Sequence, residues 1–551
     1  MSKLFQQLVE KRGFSEGYLH PKYEDLADPF LMPDMGKAVE RIRRAVKDGE
    51  KIIVYGDYDA DGVTASTVMN DALRLAGAKE VETMLPDRFK DGYGLSKKVV
   101  QKAKETGAKL VITVDCGSAN GDVVAELNEA GVDAIITDHH ECPEVLPEAV
   151  AVVNPKRRDV AQTVPEFEEH LDELMRLRDL AGVGVAFNVA RAMMKEGMIP
   201  EGQEKWMLDL VLIGTICDSM KMSEENRILC FYGTKVLAKT RRAGLRELLR
   251  VAKTTRLNSD AIGFQIGPRI NAAGRMANPE VAFALMNTTQ KTQAAKLAEE
   301  LERLNTARRE QQVAAMKEFE RRGVPEDEVL VVTGDWHEGV LGIIAGRLVE
   351  DYRRPAFVLS KIQTEEGEMF KGSGRSFGEF NLAEALRACG DEIIGGGGHA
   401  GAAGVKLWPA KLEEFRAKIN EYYRSLNLFD QERFFVQTAD IETSELGGLN
   451  LELLAELKSL EPFGLGNEMP IFGLNNIFIL DKKLMGADEQ HLGILARGED
   501  GKLLKLVGFY APEQWREIEQ GREANMLIHL EENEWNGTRS AEGHILDLRG
   551  C

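Results

Sequence analysis

Between about residues 50 and 218, short apolar runs alternate with helix-like stretches, and three of the runs are followed within two residues by aspartate. The strand candidates are Lys51–Tyr55 (KIIVY), Leu110–Val114 (LVITV), Ala134–Thr137 (AIIT) and Ala151–Val153. Helices are expected after the first three, for instance at Val63–Ala76 and Asp122–Ala130. This alternation predicts a parallel sheet with helices on both faces. Sheets of this kind bind ligands beyond the carboxyl ends of their strands. Residues just after the strands therefore meet at one crevice.

Those residues are acidic. The first run leads into YGDYDADG, with Asp57, Asp59 and Asp61 just before a helix start. The second leads into VDCGS, with Asp115, and the third into TDHHE, with Asp138, His139 and His140. Asp218 comes after the apolar helix candidate Leu208–Ile216, in GTICDSM. One aspartate at a strand end is usually a helix cap. Several converging ones repel each other unless cations relieve them. Oxygen donors with one or two imidazoles suit Mn²⁺ or Mg²⁺ better than Zn²⁺, which favours Cys and His in structural sites. Two such ions can clamp a phosphate, activate a water and stabilise the leaving oxygen. The residues thus point to metal-assisted phosphoester hydrolysis.

The rest of the chain extends this unit. At roughly 150 residues per domain, 551 residues allow three or four domains. Lys156–Asp179 reads as a charged helical insertion, Leu180–Met194 as a buried helix, and Lys239–Arg256 as a basic stretch. Lys291–Arg322 lacks Pro and Gly and reads as one long helix joining two domains. A second α/β unit begins near Val329 and carries the glycine-rich runs Lys371–Ser376 (KGSGRS) and Gly395–Gly404 (GGGGHAGAAG). Short strand-like runs dominate after about Phe434, as in a small β-barrel. The net charge of −20 argues against a protein that coats polyanions by bulk charge, and leaves room for a narrow basic track. The six cysteines form no CxxC pair, which fits a reducing, cytoplasmic setting. No apolar run approaches the roughly 18 residues of a membrane span, and the opening MSKLFQQLVEKRG is not expected to be a secretory signal.

The quoted motifs resemble those of the DHH phosphoesterase superfamily. GDYDADG is similar to its first motif, VDCGS to its second, TDHHE to its third and GTICDSM to its fourth, while GGGGHAGAAG resembles the signature of the DHH-associated domain. DRFKDGYGLS, RDLAGVGVAF, GPRINAAGRM, KGSGRS and EPFGLGNEMPIF extend the resemblance to the branch of single-strand-specific 5′→3′ exonucleases. The fold it implies is α/β throughout its core. A parallel-sheet DHH domain at 50–290 and a connecting helix at 291–322 precede an α/β DHH-associated domain at 323–430. An N-terminal extension at 1–49 comes before them, and a β-barrel of the oligonucleotide-binding (OB) type at 431–551 ends the chain.

The resemblance also implies roles. Asp59, Asp61, Asp115, His139 and Asp218 would hold two metal ions, with Asp57 as a ligand or a partner to the ligands. Asp115 would bridge both ions, His139 would bind one, and Asp218 would complete the other. His140 would face the scissile phosphate, and Asp138 would orient the imidazoles or cap its loop. Arg88, Arg269, Arg275, Ser373, Arg375, Gly397, Gly398 and His399 would hold the 5′ end and the phosphates behind it. Phe463, Phe472 and Phe509 are candidate stacking residues of the barrel, and Cys116, Cys142 and Cys217 are read as small packing residues. The implied activity is Mn²⁺- or Mg²⁺-dependent degradation of single-stranded DNA to 5′-mononucleotides in repair and recombination. A helicase and a single-strand-binding protein would be its partners. Two alternatives stay open: a phosphatase of small oligonucleotides or bis-phosphate nucleotides, and a non-catalytic replication scaffold.

Overall fold

The computed structural model describes the chain except Tyr93, Pro165, Glu166, Glu366, 429–436 and Cys551. The expected 430/431 boundary, Phe434, Tyr93 of the DRFKDGYGLS segment and Cys551 lie outside the described residues. In the first domain β1 (Ile52–Tyr55), β2 (Val81–Met84), β3 (Leu110–Val114), β4 (Asp133–Thr137) and β5 (Ala151–Val153) form a parallel sheet in the order β2-β1-β3-β4-β5. Every residue of β1 is buried: Ile52 and Val54 join the core on one face, Ile53 and Tyr55 the core on the other. Each such side chain contributes roughly 1.5–3 kcal/mol on burial. β2 went unrecognised in the sequence because its half-buried VETM edge lacks an apolar run. The strand order reverses between β1 and β3, so the crevice of this sheet opens beyond their carboxyl ends.

Lys291–Arg322 is one helix of 32 residues, as its composition predicts. Ala294, Ala298 and Leu301 pack into the first core, whereas Ala315 and Phe319 pack into the second domain. The second domain has a mixed sheet, β6-β7-β8-β10-β9, from β6 (Leu330–Gly334), β7 (Ala356–Thr364), β8 (Gly367–Arg375), β9 (Gly395–Gly398) and β10 (Ala402–Leu407). Beyond it, β11 (Ile441–Thr443) leads into β12 (Phe472–Met485), β13 (His491–Arg497), β14 (Leu503–Gly508), β15 (Glu523–Trp535) and β16 (Thr538–Gly550). Pairing of β12 with β15 closes these strands into a barrel.

The first 49 residues serve two bodies. Helix Lys3–Arg12 buries Phe5 and Leu8 in the barrel core, and helix Met35–Asp48 buries Val39 and Ile42 in the first domain. Among the described residues no helix is long and apolar enough to cross a membrane.

Candidate active site

Each acidic segment is held by its own local structure. Asp59 caps helix Ala60–Leu75, accepting from the N–H groups of Asp61 (3.0 Å) and Gly62 (3.1 Å). The buried Asp61 carboxylate accepts from Gly182 N (2.7 Å) and Val183 N (2.9 Å), at the start of helix Gly182–Lys195. A helix N-terminus stabilises negative charge there. Asp115 has φ 60°, a left-handed conformation uncommon outside glycine. Its side chain lies against Gly182, where a Cβ would stand 2.5 Å from the Asp115 Cβ.

These groups converge. His139 Nε2 lies 3.1 Å from Asp115 Oδ1, 3.6 Å from Asp218 Oδ2 and 3.8 Å from Asp61 Oδ2. Three sets bring their donor atoms within 4.8 Å of one another: Asp61, His139 and Asp218; Asp57, Asp59 and Asp115; and Asp115, His139 and His140. His139 belongs to two of these sets, one with Asp218 and one without it. Among the described residues, Asp57 Oδ1, Asp115 Oδ1 and His139 Nε2 are buried without a hydrogen-bond partner. Orphaned buried donors of this kind are costly unless something binds them. An oxygen-rich set with one or two imidazoles fits Mn²⁺ or Mg²⁺.

Electrostatics agree. Burial, reinforced by Asp59, pushes Asp57 up to about 8 and Asp218 up to about 7. Burial and the neighbouring carboxylates raise Asp61 and Asp115 well above the usual range. Burial lowers His139 to about 3, which keeps its ring neutral and fit to be a ligand. Asp138 behaves differently. It accepts from the N–H groups of Ser118 (3.0 Å), His139 (2.8 Å) and His140 (3.1 Å), and its Oδ1 sits 2.8 Å from His140 Nδ1. Burial would raise Asp138, but its contacts with His140 hold it well below the ordinary value. Burial works against the charged His140 ring, and Asp138 outweighs it and raises the imidazole.

Facing this cluster is a group of arginines. Arg88 lies over the Tyr58 ring, 5.3 Å from its centroid. Burial and then Arg88, Arg308 and Arg375 lower Arg275 to about 10. Arg375 Nη1 donates to Ser373 Oγ (3.1 Å). None of Arg88, Arg275, Arg308 or Arg375 has a carboxylate within 4.0 Å among the described residues. Converging guanidiniums without counter-charges suit a bound anion. Arg308 was not anticipated: on a helix rich in charge, nothing local separates it from solvated neighbours. Arg269 goes elsewhere, to Glu302 (2.5 Å) and the Gln265 carbonyl (2.7 Å).

The glycine run forms strands. Gly397 pairs with Gly404 and Gly404 with Ser373, so Gly397 stands two strands, roughly 10 Å, from Ser373. Gly397, Gly398 and His399 are exposed on this edge, and His399 N closes a turn to the Ala402 carbonyl (2.8 Å). Cys116, Cys142 and Cys217 join none of the metal-donor sets among the described residues. The basic stretch is largely committed to structure: Arg242 pairs with Asp71 (2.5 Å), Arg250 with Glu247 (2.7 Å), and Arg241 stacks on Trp206. Of the barrel aromatics, Phe472 is fully buried, Phe463 packs against the core, and Phe509 is 53% exposed.

Comparison with known proteins finds three matched domains along the chain. The chain matches the DHH family, N-terminal domain, over residues 51–215, the DHHA1 domain over 326–425 and the RecJ OB domain over 440–547. It is 36% identical to the single-stranded-DNA-specific exonuclease RecJ of Bacillus subtilis, covering 100% of this chain and 70% of the relative. It is 32% identical to the protein of the same name from Dickeya dadantii, covering 98% of this chain and 94% of that one. The crystal structure of RecJ in complex with Mn²⁺ from Thermus thermophilus superposes with a TM-score of 0.81 at 28% identity, over 99% of this chain and 76% of that one. Three matched domains in one order, and identity above 30% along nearly the whole chain, place it in the RecJ family.

Proposed function

We propose that the chain is a metal-dependent exonuclease that degrades single-stranded DNA from the 5′ end and releases 5′-mononucleotides. Its relatives are named for single-stranded-DNA-specific exonuclease activity. The observation that carries the reading is a juxtaposition: orphaned acidic and imidazole donors lie near arginines that have no carboxylate within 4.0 Å among the described residues.

Each group of residues has its own task. Asp57, Asp59, Asp61, Asp115, His139 and Asp218 would hold the metal, with Asp115 shared between donor sets. When bound, two Mn²⁺ or Mg²⁺ ions supply an activated water and neutralise charge on the scissile phosphate. Asp138 fixes the His140 ring through Nδ1, and the imidazole would stabilise charge that builds on the phosphate. Arg88, Arg275, Arg375 and Ser373 hold the terminal 5′ phosphate, and Arg308 adds to their field. The exposed edge of Gly397, Gly398 and His399 meets later phosphates, and Arg269 orients the connecting helix. Phe509 offers a stacking face to unpaired bases.

We assign the enzyme to DNA repair and recombination in a reducing cytoplasm, with a helicase and a single-strand-binding protein supplying its substrate. The described cysteines are free, in keeping with that compartment.

Digestion of 5′-labelled and 3′-labelled single strands with Mn²⁺, beside Asp115→Asn, tests the reading. Early release of labelled mononucleotide from the 5′ end alone, lost in the variant, is expected. Attack from the 3′ end, or on the shortest oligomers only, would transfer the assignment to the small-oligonucleotide phosphatases.

A further inference from the structure

A cleft of about 920 Å³ separates the first domain from the barrel module. Met220, Met222 and Phe264 line it from one side, and Leu457, Phe463 and Leu465 from the other. It has no part in the chemistry described above, although Cys217 and Ser219, the neighbours of Asp218, both reach its lining. Phe264 is 79% exposed and Leu465 60% exposed. Large apolar side chains held into water at a cleft between domains mark an interaction surface more often than a solvent boundary. The methionines add a lining that adapts to an occupant's shape.

The charge of the cleft selects the occupant. Its lining carries five carboxylates (Asp260, Glu461, Glu468, Glu531 and Glu532) against three cations. Two of those cations, Lys458 and Arg539, are both spent on Glu532. Arg256 is left beside Asp260, Glu461 and Glu531, none of which has an ion pair within 4.0 Å among the described residues. Burial raises both Glu461 and Glu531, and it outweighs the pull of Lys458 and Arg256 on the first and of His544 and Arg256 on the second. A phosphate backbone meets the wrong sign here, so this cleft is unsuited to a nucleic-acid strand. The same acids are complementary to lysine and arginine. One wall is the stem of the β15–β16 hairpin, whose end carries Trp535 at 74% exposure, an aromatic anchor of the kind that binding surfaces use.

We propose that this cleft docks a segment of a partner protein that presents apolar side chains flanked by lysine or arginine. The apolar side chains fill the space between Phe264, Leu465 and the methionines, and the cations pair with Glu461 and Glu531.

Fluorescence anisotropy on the full chain tests this with a short labelled peptide of leucine and lysine, and a second in which glutamate replaces lysine. The lysine peptide should bind, and the glutamate peptide should not. Binding should weaken about tenfold in the Glu461→Gln, Glu531→Gln double variant. It should stay unchanged in Glu129→Gln, an exposed acid elsewhere on the surface. Phe264→Ala provides a second measurement that does not depend on the buried acids, because its ring is exposed; it should weaken the lysine peptide without lowering the melting temperature. Equal affinity in all variants, or preference for the glutamate peptide, would overturn the proposal. Displacement by an unlabelled single-stranded oligonucleotide would also overturn it and assign the cleft to the nucleic-acid track. Because the probe is a peptide, none of these outcomes depends on whether the exonuclease reading is correct.

Discussion

Burial favours the protonated form of Asp57, Asp61, Asp115 and Asp218, so metal binding must displace protons there. Burial and mutual repulsion raise Asp57 to about 8 and Asp218 to about 7. Mn²⁺ affinity should therefore climb from pH 6 and level off above about pH 8, with proton release measurable by calorimetry in buffers of different ionisation enthalpy. The same groups set the stability of the metal-free protein. A raised carboxyl binds protons in the folded state that the unfolded chain has already lost between pH 4 and pH 8, so folding weakens as pH rises through that window. Melting in chelator should occur at lower temperature at pH 8.5 than at pH 5.5, and Mn²⁺ should remove most of the difference. A flat profile in chelator would mean that these acids do not interact as their geometry implies. Gly182 gives a steric prediction at the same scale. Its Cβ position lies 2.5 Å from the Asp115 Cβ, so Gly182→Ala must displace the central carboxylate. Misplacement of a reacting group by about 1 Å costs on the order of 100-fold, and kcat should fall by that much while circular dichroism stays unchanged. Most acidic residues of this cluster were legible because they follow closely on strands, where sheet topology dictates position, and Asp218 because it ends an apolar helix. Arg308 was not, since convergence of its guanidinium on Arg275 depends on how a distant helix packs.

Among the elements, helix Lys291–Arg322 matters most. Its first half belongs to the first core and its last turns to the second domain, so one rigid rod sets the separation of the metal cluster from Ser373 and Arg375. At 1.5 Å per residue it spans about 48 Å. Thr306 is exposed near its middle, and Thr306→Pro would remove a hydrogen bond and clash with the preceding turn, at a cost of about 3 kcal/mol. Activity should fall by at least an order of magnitude, and limited proteolysis should begin near residue 306 while both halves stay protease-resistant. Equal protection of wild type and variant would show that tertiary contacts alone fix the domains. The Pro- and Gly-free composition announced this helix, with matching bounds. The glycine run is the contrary case. The resemblance implies phosphate contacts and nothing about its conformation, and Gly395–Gly398 becomes an edge strand because β10 offers it a ladder. That pairing partner is remote from any local propensity.

At the scale of the molecule, the parts are locked by contacts distant in sequence. Gly339 of the second domain lies so close to the first that a Cβ there would stand 1.8 Å from the Arg275 carbonyl oxygen. Phe89 meets His337 edge to face at 5.4 Å. The barrel is riveted by the fully buried Arg227, which donates to the carbonyls of Tyr18 (2.7 Å), Ser459 (2.7 Å) and Leu460 (2.6 Å). Arg227→Met would strand those carbonyls and should cost about 3 kcal/mol in urea unfolding. The loosened barrel should weaken binding of long strands more than cleavage of short ones, and an equal loss for both lengths would count against a barrel that adds substrate contacts. By itself the sequence determined the parallel sheet, the aspartates and histidines beyond its strands, the metal chemistry they permit and the long connecting helix. All of these arise from short-range periodicity, and the side chains at strand ends share one crevice whatever the remaining chain does. Only the tertiary structure decided that Arg269 is neutralised by Glu302, that Arg308 joins the arginine cluster, that residues 3–12 complete the barrel core, and that an acidic, apolar cleft opens beside it. A charge or an apolar face reads alike in sequence whether it ends in water, in an ion pair or against another domain, because its partner lies hundreds of residues away.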